Sequence, residues 1–152
     1  MPVKAMVADF DYDDTSGEVR DQRAAHAEMM HTFVATLRQG LEDDAGYATQ
    51  SLPCDNDTCT AGNMESAALI ERARQSDARL LVFGGIHKMS TLVQWGHVYM
   101  VDLSNEKILL ERSFSFRGDD ERAFRRAGEF VAGTLARVTI EPHTQPTRVL
   151  TD

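Results

Sequence analysis

Residues 3–16 read VKAMVADFDYDDTS. The first half of this stretch is a nearly continuous apolar run, which is the pattern of a buried central strand. The second half brings four aspartates, followed by Thr15 and Ser16, directly after that strand. A buried strand that delivers carboxylates and hydroxyls to its carboxyl end is a common way for an α/β fold to present a site. This stretch therefore predicts both the fold class and the edge at which a site is to be sought.

The remaining elements can be arranged around this strand. Helical spacing predicts helices over residues 19–41, 63–75 and 119–137, and apolar runs predict strands over residues 4–10, 47–52, 79–87, 92–103 and 107–116. Residues 11–17 are predicted to form a loop. The order is βαβαβββα, in which the first two crossovers require parallel strands and the last hairpin adds antiparallel ones. We expect an α/β (α+β) fold with a mixed sheet of about five strands and helices packed on it.

One domain is expected over residues 3–137, followed by a loosely structured tail over residues 138–152. Periodicity also predicts which side chains face the core. They are Ala27, Met30, Phe33, Val34, Leu37 and Leu41 in the first helix, Ile108, Leu110, Phe114 and Phe116 in the last strand, and Ala123, Phe124, Ala127, Phe130, Val131 and Leu135 in the last helix. Gly84 and Gly85 indicate a bulge or a close approach of backbones. We expect His26 and His31 at the surface or its boundary, and Trp95 in the core or an interface.

Charge and hydropathy exclude several classes of partner. The formal charge of the 152-residue chain is −8, whereas nucleic acids and anionic membranes require a basic surface. No apolar run approaches the roughly 20 residues of a membrane-spanning helix. We therefore expect neither nucleic acid as a partner nor a membrane span, and a cationic partner or a metal ion remains compatible with the charge.

The two cysteines indicate the compartment. Cys54 and Cys59 lie in one loop with no histidine nearby, so a local disulfide is a simpler interpretation than a four-ligand zinc site. Because disulfides persist in oxidising compartments, we expect a periplasmic location. Met1-Pro2 directly before a strand is consistent with a signal peptide that has been removed.

Strand direction brings three polar loops to one edge of the predicted sheet. These are residues 11–16, 87–90 and 117–120, and their candidate ligand-binding residues are Asp13, Asp14, Ser16, Lys88, Ser90, Arg117 and Asp119. The alternative is a structural network whose charges neutralise one another, because loop ends and helix starts favour such residues anyway.

Two further hypotheses use the aspartate cluster. Asp11, Asp13 and Thr15 have the D-x-D-x-T spacing of a Mg²⁺-dependent phosphatase of the haloacid dehalogenase type, in which Lys88 would neutralise charge. The second hypothesis is a hard-metal-ion-binding protein, with Asp11, Asp13 and Asp14, together with Asp119 or Asp120, as ligands of a divalent or trivalent ion.

A set of ordered motifs resembles a bacterial family known as domain-of-unknown-function family 2380. The motifs are Phe10, Asp13-Asp14-Thr15-Ser16, the Cys54–Cys59 loop, Gly85-x-x-Lys88-x-Ser90-x-Leu92, Asp102, Arg117-Gly118-x-Asp120 and Arg125-Arg126-Ala127. The resemblance implies an exported accessory protein, often encoded near quinoprotein alcohol dehydrogenases, with a sheet pattern similar to the N-terminal domain of TolB.

Together, these features predict a non-enzymatic periplasmic accessory or binding protein, because the sequence shows no paired nucleophile and base. We expect no catalytic residues and no resident cofactor, with the metal ion above as the alternative. A protein partner or a small ligand is expected at the edge formed by the three loops. A homodimer is compatible with the sequence.

Overall fold

The structure, a computed structural model, describes residues 2–17, 22–52, 66–138 and 140. The strands are β1 (Lys4–Val7), β2 (Asp11–Asp14), β3 (Ala48–Ser51), β4 (Leu80–Lys88), β5 (Val93–Asp102) and β6 (Lys107–Arg117). The helices are α1 (Arg23–Ala45), α2 (Ser66–Arg74) and α3 (Glu121–Ala136).

The strands form one mixed sheet in the order β3-β1-β4-β5-β6. β1 pairs in parallel with β3 and β4, whereas β4, β5 and β6 pair antiparallel. The predicted pattern of two parallel crossovers followed by an antiparallel hairpin is therefore confirmed, as is the α+β class.

The sheet has six strands instead of about five, because the predicted first strand is interrupted. Residues 8–10 separate β1 from β2, and the side chain of Phe10 is buried in the core. The nine-residue β4 is long enough to pair with both pieces, with β1 along its first half and with β2 along Gly85–Lys88. The prediction of a loop over residues 11–17 is thus wrong for residues 11–14.

The helices cover both faces of the sheet. On one face, α1 and α3 pack together over the core that contains Phe33, Leu37 and Phe124. On the other face, α2 covers a smaller cluster through Leu69 and Ala73. On this second face α2 packs over β1, β4 and the end of β5, since the cluster also contains Met6, Leu81 and Val101.

Several predicted core positions are exposed. Ile108 is 57% exposed because a register shift between β5 and β6 breaks the alternation that the sequence indicated. Phe130 is 58% exposed on α3, and Ala27 is exposed on α1. Val34 is partly buried against the core. The remaining predicted positions of α1 are buried, namely Met30, Phe33, Leu37 and Leu41.

The glycine pair in β4 marks a close approach of backbones, and the pairing of β4 with β5 continues through it without a register shift. A Cβ atom built on Gly84 would lie 2.1 Å from the carbonyl oxygen of His97. Only glycine leaves room for this carbonyl. The predicted tail falls outside the described residues except for residues 138 and 140.

Candidate functional site

A lysine at the end of β4 lies at the centre of the edge where the sequence predicted a site. The side chain of Lys88 is fully buried, and its Nζ atom donates hydrogen bonds to Asp119 Oδ2 at 2.6 Å and to Gln22 Oε1 at 2.9 Å. A buried ammonium group is costly unless it is paired and hydrogen-bonded. Asp119 lies immediately before the N-cap residue of α3, so the helix start delivers the carboxylate that neutralises Lys88.

The second carboxylate oxygen of Asp119, Oδ1, contacts two further side chains. Gln94 Nε2 donates to Oδ1 at 3.2 Å, and His26 Nε2 lies 2.9 Å from the same atom. Because an ionised carboxylate offers only acceptors, the proton of the His26 ring belongs on Nε2. Asp119 therefore links α1, β4, β5 and the start of α3 in one polar network.

Gln94 extends this network in two directions. Its Nε2 atom also donates to the carbonyl oxygen of Gly118 at 3.1 Å, and its Oε1 atom accepts from the Tyr12 hydroxyl at 3.2 Å. The Tyr12 ring packs against the His26 ring with centroids 4.6 Å apart. The fully buried Gln94 amide is thus satisfied by groups from two separate parts of the chain, Tyr12 and the segment Gly118-Asp119.

Asp14 lies next to this network on the same face of the sheet. Its Oδ2 atom is 3.9 Å from His26 Nδ1. Its Oδ1 atom accepts hydrogen bonds from the backbone N–H and the hydroxyl of Ser16, and these bonds lower the pKa of the Asp14 carboxyl below its ordinary value. Asp14 is therefore held as a carboxylate at the edge of the buried network.

Backbone contacts join the three loops. The N–H of Thr15 donates to the carbonyl of Lys88 at 3.0 Å, and the N–H of Gly118 donates to the carbonyl of Leu92 at 2.7 Å. The Thr15 hydroxyl also contacts the ring of His87. The structure thus brings Asp14, Ser16, Lys88 and Asp119 to one edge, together with the backbone around Arg117.

Other candidates are placed apart from this group. Side chains alternate along a strand, so Asp11 and Asp13 of β2 face away from Tyr12 and Asp14. Ser90 lies in the turn between β4 and β5, where its N–H approaches the carbonyl of Val93 at 3.4 Å.

This alternation bears on both hypotheses that use the aspartate cluster. Asp14 faces the opposite side of the sheet from Asp11 and Asp13, so the three carboxylates do not converge on one ion. Across the part of the chain that the structure describes, no group of three or more acidic, histidine or cysteine side chains is arranged to hold a metal ion. Lys88 is paired in register with Asp14 and therefore lies away from the Asp11 and Asp13 carboxylates of the phosphatase hypothesis.

Sequence reasoning missed four members of the network, namely Tyr12, Gln22, His26 and Gln94. The prediction of a surface or boundary position for His26 is wrong, because this residue is 4% exposed. His26 continues the buried series of Met30, Phe33 and Leu37 by one helical turn, which was a usable signal. Gln94 likewise precedes Gly96 and Val98 on the buried side of β5.

The same edge carries exposed apolar side chains. Met89 and Leu92 lie in the turn between β4 and β5 and are 49% and 54% exposed, and Trp95 near the start of β5 is 50% exposed. Within the described residues, no helix is both long and apolar enough to cross a membrane. The predicted disulfide between Cys54 and Cys59 lies outside the described residues.

Comparison with solved structures shows that the fold is shared with bacterial proteins. Lipoprotein GNA1162 from Neisseria meningitidis superposes with a TM-score of 0.56 at 16% identity, covering 90% of this chain and 98% of that one. The PelC dodecamer from Paraburkholderia phytofirmans superposes with a TM-score of 0.56 at 13% identity, covering 93% of this chain and 90% of the PelC chain. TolB from Acinetobacter baumannii superposes with a TM-score of 0.52 at 16% identity, covering 90% of this chain and 28% of the TolB chain. The expected TolB-like sheet is confirmed.

Comparison with curated protein sequences finds no match. A family profile, in contrast, matches residues 3–134, which is nearly all of the folded chain. The match spans β1 through α3 and therefore includes every loop of the edge described above. The chain belongs to the family described as "Protein of unknown function (DUF2380)".

Proposed function

We propose that the protein is a non-enzymatic accessory protein of the periplasm, and that it docks a protein partner through Met89, Leu92 and Trp95. We call these three residues the apolar tip. Large apolar side chains are usually buried, and a group of them held at one edge indicates an interaction surface. Tryptophan is also among the residues that most often carry the binding energy of an interface.

The observation that carries this proposal is that hydrogen bonds and an ion pair hold the turn of the apolar tip in place. The turn that bears Met89 and Leu92 follows Lys88 directly and is bonded to Gly118 through the carbonyl of Leu92. Lys88 is in turn fixed by Asp119. An interface that is rigid before binding loses less conformational entropy on association, and so retains more of its contact energy as affinity.

The periplasmic location rests on two arguments. One protein of similar fold, GNA1162, is a lipoprotein, and the family resemblance implies export. The cysteine pair in one loop is also typical of oxidising compartments. A quinoprotein alcohol dehydrogenase, the association that the resemblance implies, is the first candidate partner.

Photo-crosslinking in the native host tests the proposal. A benzophenone amino acid is placed at Leu92, and the matched control is the same amino acid at Phe130, which is equally exposed on α3. We expect one discrete adduct from position 92 that is absent from position 130 and is lost with Trp95→Ala. An adduct of twice the chain mass would identify a second copy as the partner. Equal adducts from both positions, or none from position 92, would contradict the proposal.

A further inference from the structure

A groove beside the edge is lined by three arginines. Arg117 ends β6, while Arg122 and Arg126 lie in the first two turns of α3, and the groove between these elements has a volume of about 470 Å³. This volume falls in the range of about 300–1,000 Å³ that is usual for small-molecule sites. The groove is open to solvent on one side and is large enough to hold a small organic molecule.

These three arginines are exposed and have no partner among the described residues. Across the described part of the chain, none of their side chains makes an ion pair or a hydrogen bond. Arg125, on the same helix, pairs with Glu121 at 2.8 Å, and Arg79 pairs with Asp102 through two hydrogen bonds. The guanidinium groups that line the groove are therefore available to a ligand.

The positions of Arg122 and Arg126 are also unfavourable for the stability of α3. Arg122 and Arg126 are four residues apart on one helix, where like charges repel. Arg122 lies in the first turn, next to the positive end of the helix dipole, where a cation is disfavoured. The chain as a whole carries a formal charge of −8, so this group of cations is not a consequence of a basic composition. A bound anion would relieve both unfavourable interactions.

We propose that this groove binds a small organic anion with two or more negative charges, carried by phosphate or carboxylate groups. The planar guanidinium fork matches both groups and can form two parallel hydrogen bonds to either. Asp120 also lines the groove, but its Oδ1 atom is held by the N–H of Ala123 at 2.8 Å as the N-cap of α3. Three positive charges against one negative charge leave the lining cationic.

This site goes beyond the docking edge, because none of the residues of the apolar tip lines the groove. Loss of partner docking in a Trp95→Ala variant would therefore leave anion binding unchanged. The two proposals can fail independently.

Calorimetric titration of the full chain tests the proposal at constant ionic strength. Pyrophosphate and citrate are the two probes, and they distinguish a phosphate ligand from a carboxylate ligand. The variant is Arg122→Gln combined with Arg126→Gln, and the matched control is Arg125→Gln on the same helix. We expect saturable binding of at least one probe, weakened about tenfold or more by the double variant and unchanged by the control.

Thermal melting of the same proteins adds a second readout. If the arginines are placed for a ligand at the cost of stability, the double variant melts at or above the temperature of the wild type. Three results would overturn the proposal: no saturable binding of either probe, equal weakening by Arg125→Gln, or a melting temperature of the double variant several degrees below that of the wild type.

Discussion

The Nζ atom of Lys88 lies 2.6 Å from the Oδ2 atom of Asp119, in a pair in which the lysine side chain is fully buried and the aspartate side chain is 13% exposed. Lys88 comes from the sheet, whereas Asp119 comes from the segment that leads into the last helix, 31 residues later. The pair therefore closes the edge of the fold and fixes the turn that follows β4. Its removal has consequences for stability that can be measured.

Breaking this pair from one side is expected to be costly. Lys88→Met leaves the Asp119 carboxylate without its cation, and Asp119→Asn leaves a buried ammonium group without its anion. We expect each substitution to lower the free energy of unfolding by about 3–5 kcal/mol. In the double variant neither charge is stranded, so its loss is expected to be smaller than the sum of the two. Urea denaturation of the four proteins at pH 7 measures this coupling, and additive losses would show that the pair is not an energetic unit.

A second ion pair predicts how stability depends on acid. Arg79 donates two hydrogen bonds to Asp102 and, with Ser104, lowers the pKa of this buried carboxyl from 3.8 to about 2. A depressed folded pKa gives stability that is complete above the unfolded value and is lost as pH falls through the folded value. We therefore expect Asp102 to contribute about 2 kcal/mol above pH 4 that disappears between about pH 4 and pH 2.

The comparison of two asparagine variants isolates this contribution. Asp102→Asn lacks it at every pH, so the stability of this variant is expected to fall less steeply in acid than that of the wild type. Asp77→Asn removes an exposed carboxylate whose pKa is also lowered, by its hydrogen bond with Lys4. Because solvent screens this exposed pair, the variant is expected to keep most of the steep acid loss. Parallel curves for wild type and Asp102→Asn between pH 4 and pH 2 would be inconsistent with the assigned pKa.

Two glycine substitutions are expected to have opposite effects. In Gly84→Ala the new Cβ atom would lie 2.1 Å from the carbonyl oxygen of His97, so β4 and β5 must move apart. In Gly133→Ala nothing lies within 4 Å of the new atom, and alanine favours the helix by up to about 1 kcal/mol. We expect Gly84→Ala to lower the melting temperature markedly and Gly133→Ala to raise it slightly. Equal effects would refute the close approach of the two strands.

The predicted disulfide between Cys54 and Cys59 is tested by alkylation without a reductant. The protein isolated from the periplasm of its host is expected to resist iodoacetamide until it is reduced, and then to take up the reagent at both cysteines. Immediate alkylation of both thiols would remove the cysteine argument for an oxidising compartment.

The sequence was sufficient for the fold class because apolar runs and helical spacing report burial directly. It also located the edge of the sheet, since strand direction alone determines where Lys88 and Asp119 emerge. The interruption of the first strand could not be predicted from the sequence, because Phe10 continues the apolar run although the chain leaves the strand between β1 and β2. The exposure of Ile108 depends on a register shift, which is a property of the strand pairing and not of the β6 sequence.

The polar network was harder to predict for a physical reason. Tyr12, His26 and Gln94 are polar residues that can lie in solvent or in a core, and only the presence of partners decides between these positions. Those partners are up to 93 residues away along the chain, as with His26 and Asp119. The periodicity of buried positions in α1 and β5 could have identified His26 and Gln94 as buried. It could not have shown that both side chains contact Asp119.

The most direct test of partner docking is the affinity for the protein that is captured through Leu92. Trp95→Ala and Phe130→Ala each remove one exposed aromatic side chain, from the apolar tip and from α3 respectively. Titration calorimetry is expected to show that Trp95→Ala weakens binding by about 2 kcal/mol or more, as for an interface hot spot, while Phe130→Ala leaves the dissociation constant unchanged. Unchanged affinity in Trp95→Ala, or an equal loss in Phe130→Ala, would contradict the proposal that the apolar tip is the docking surface.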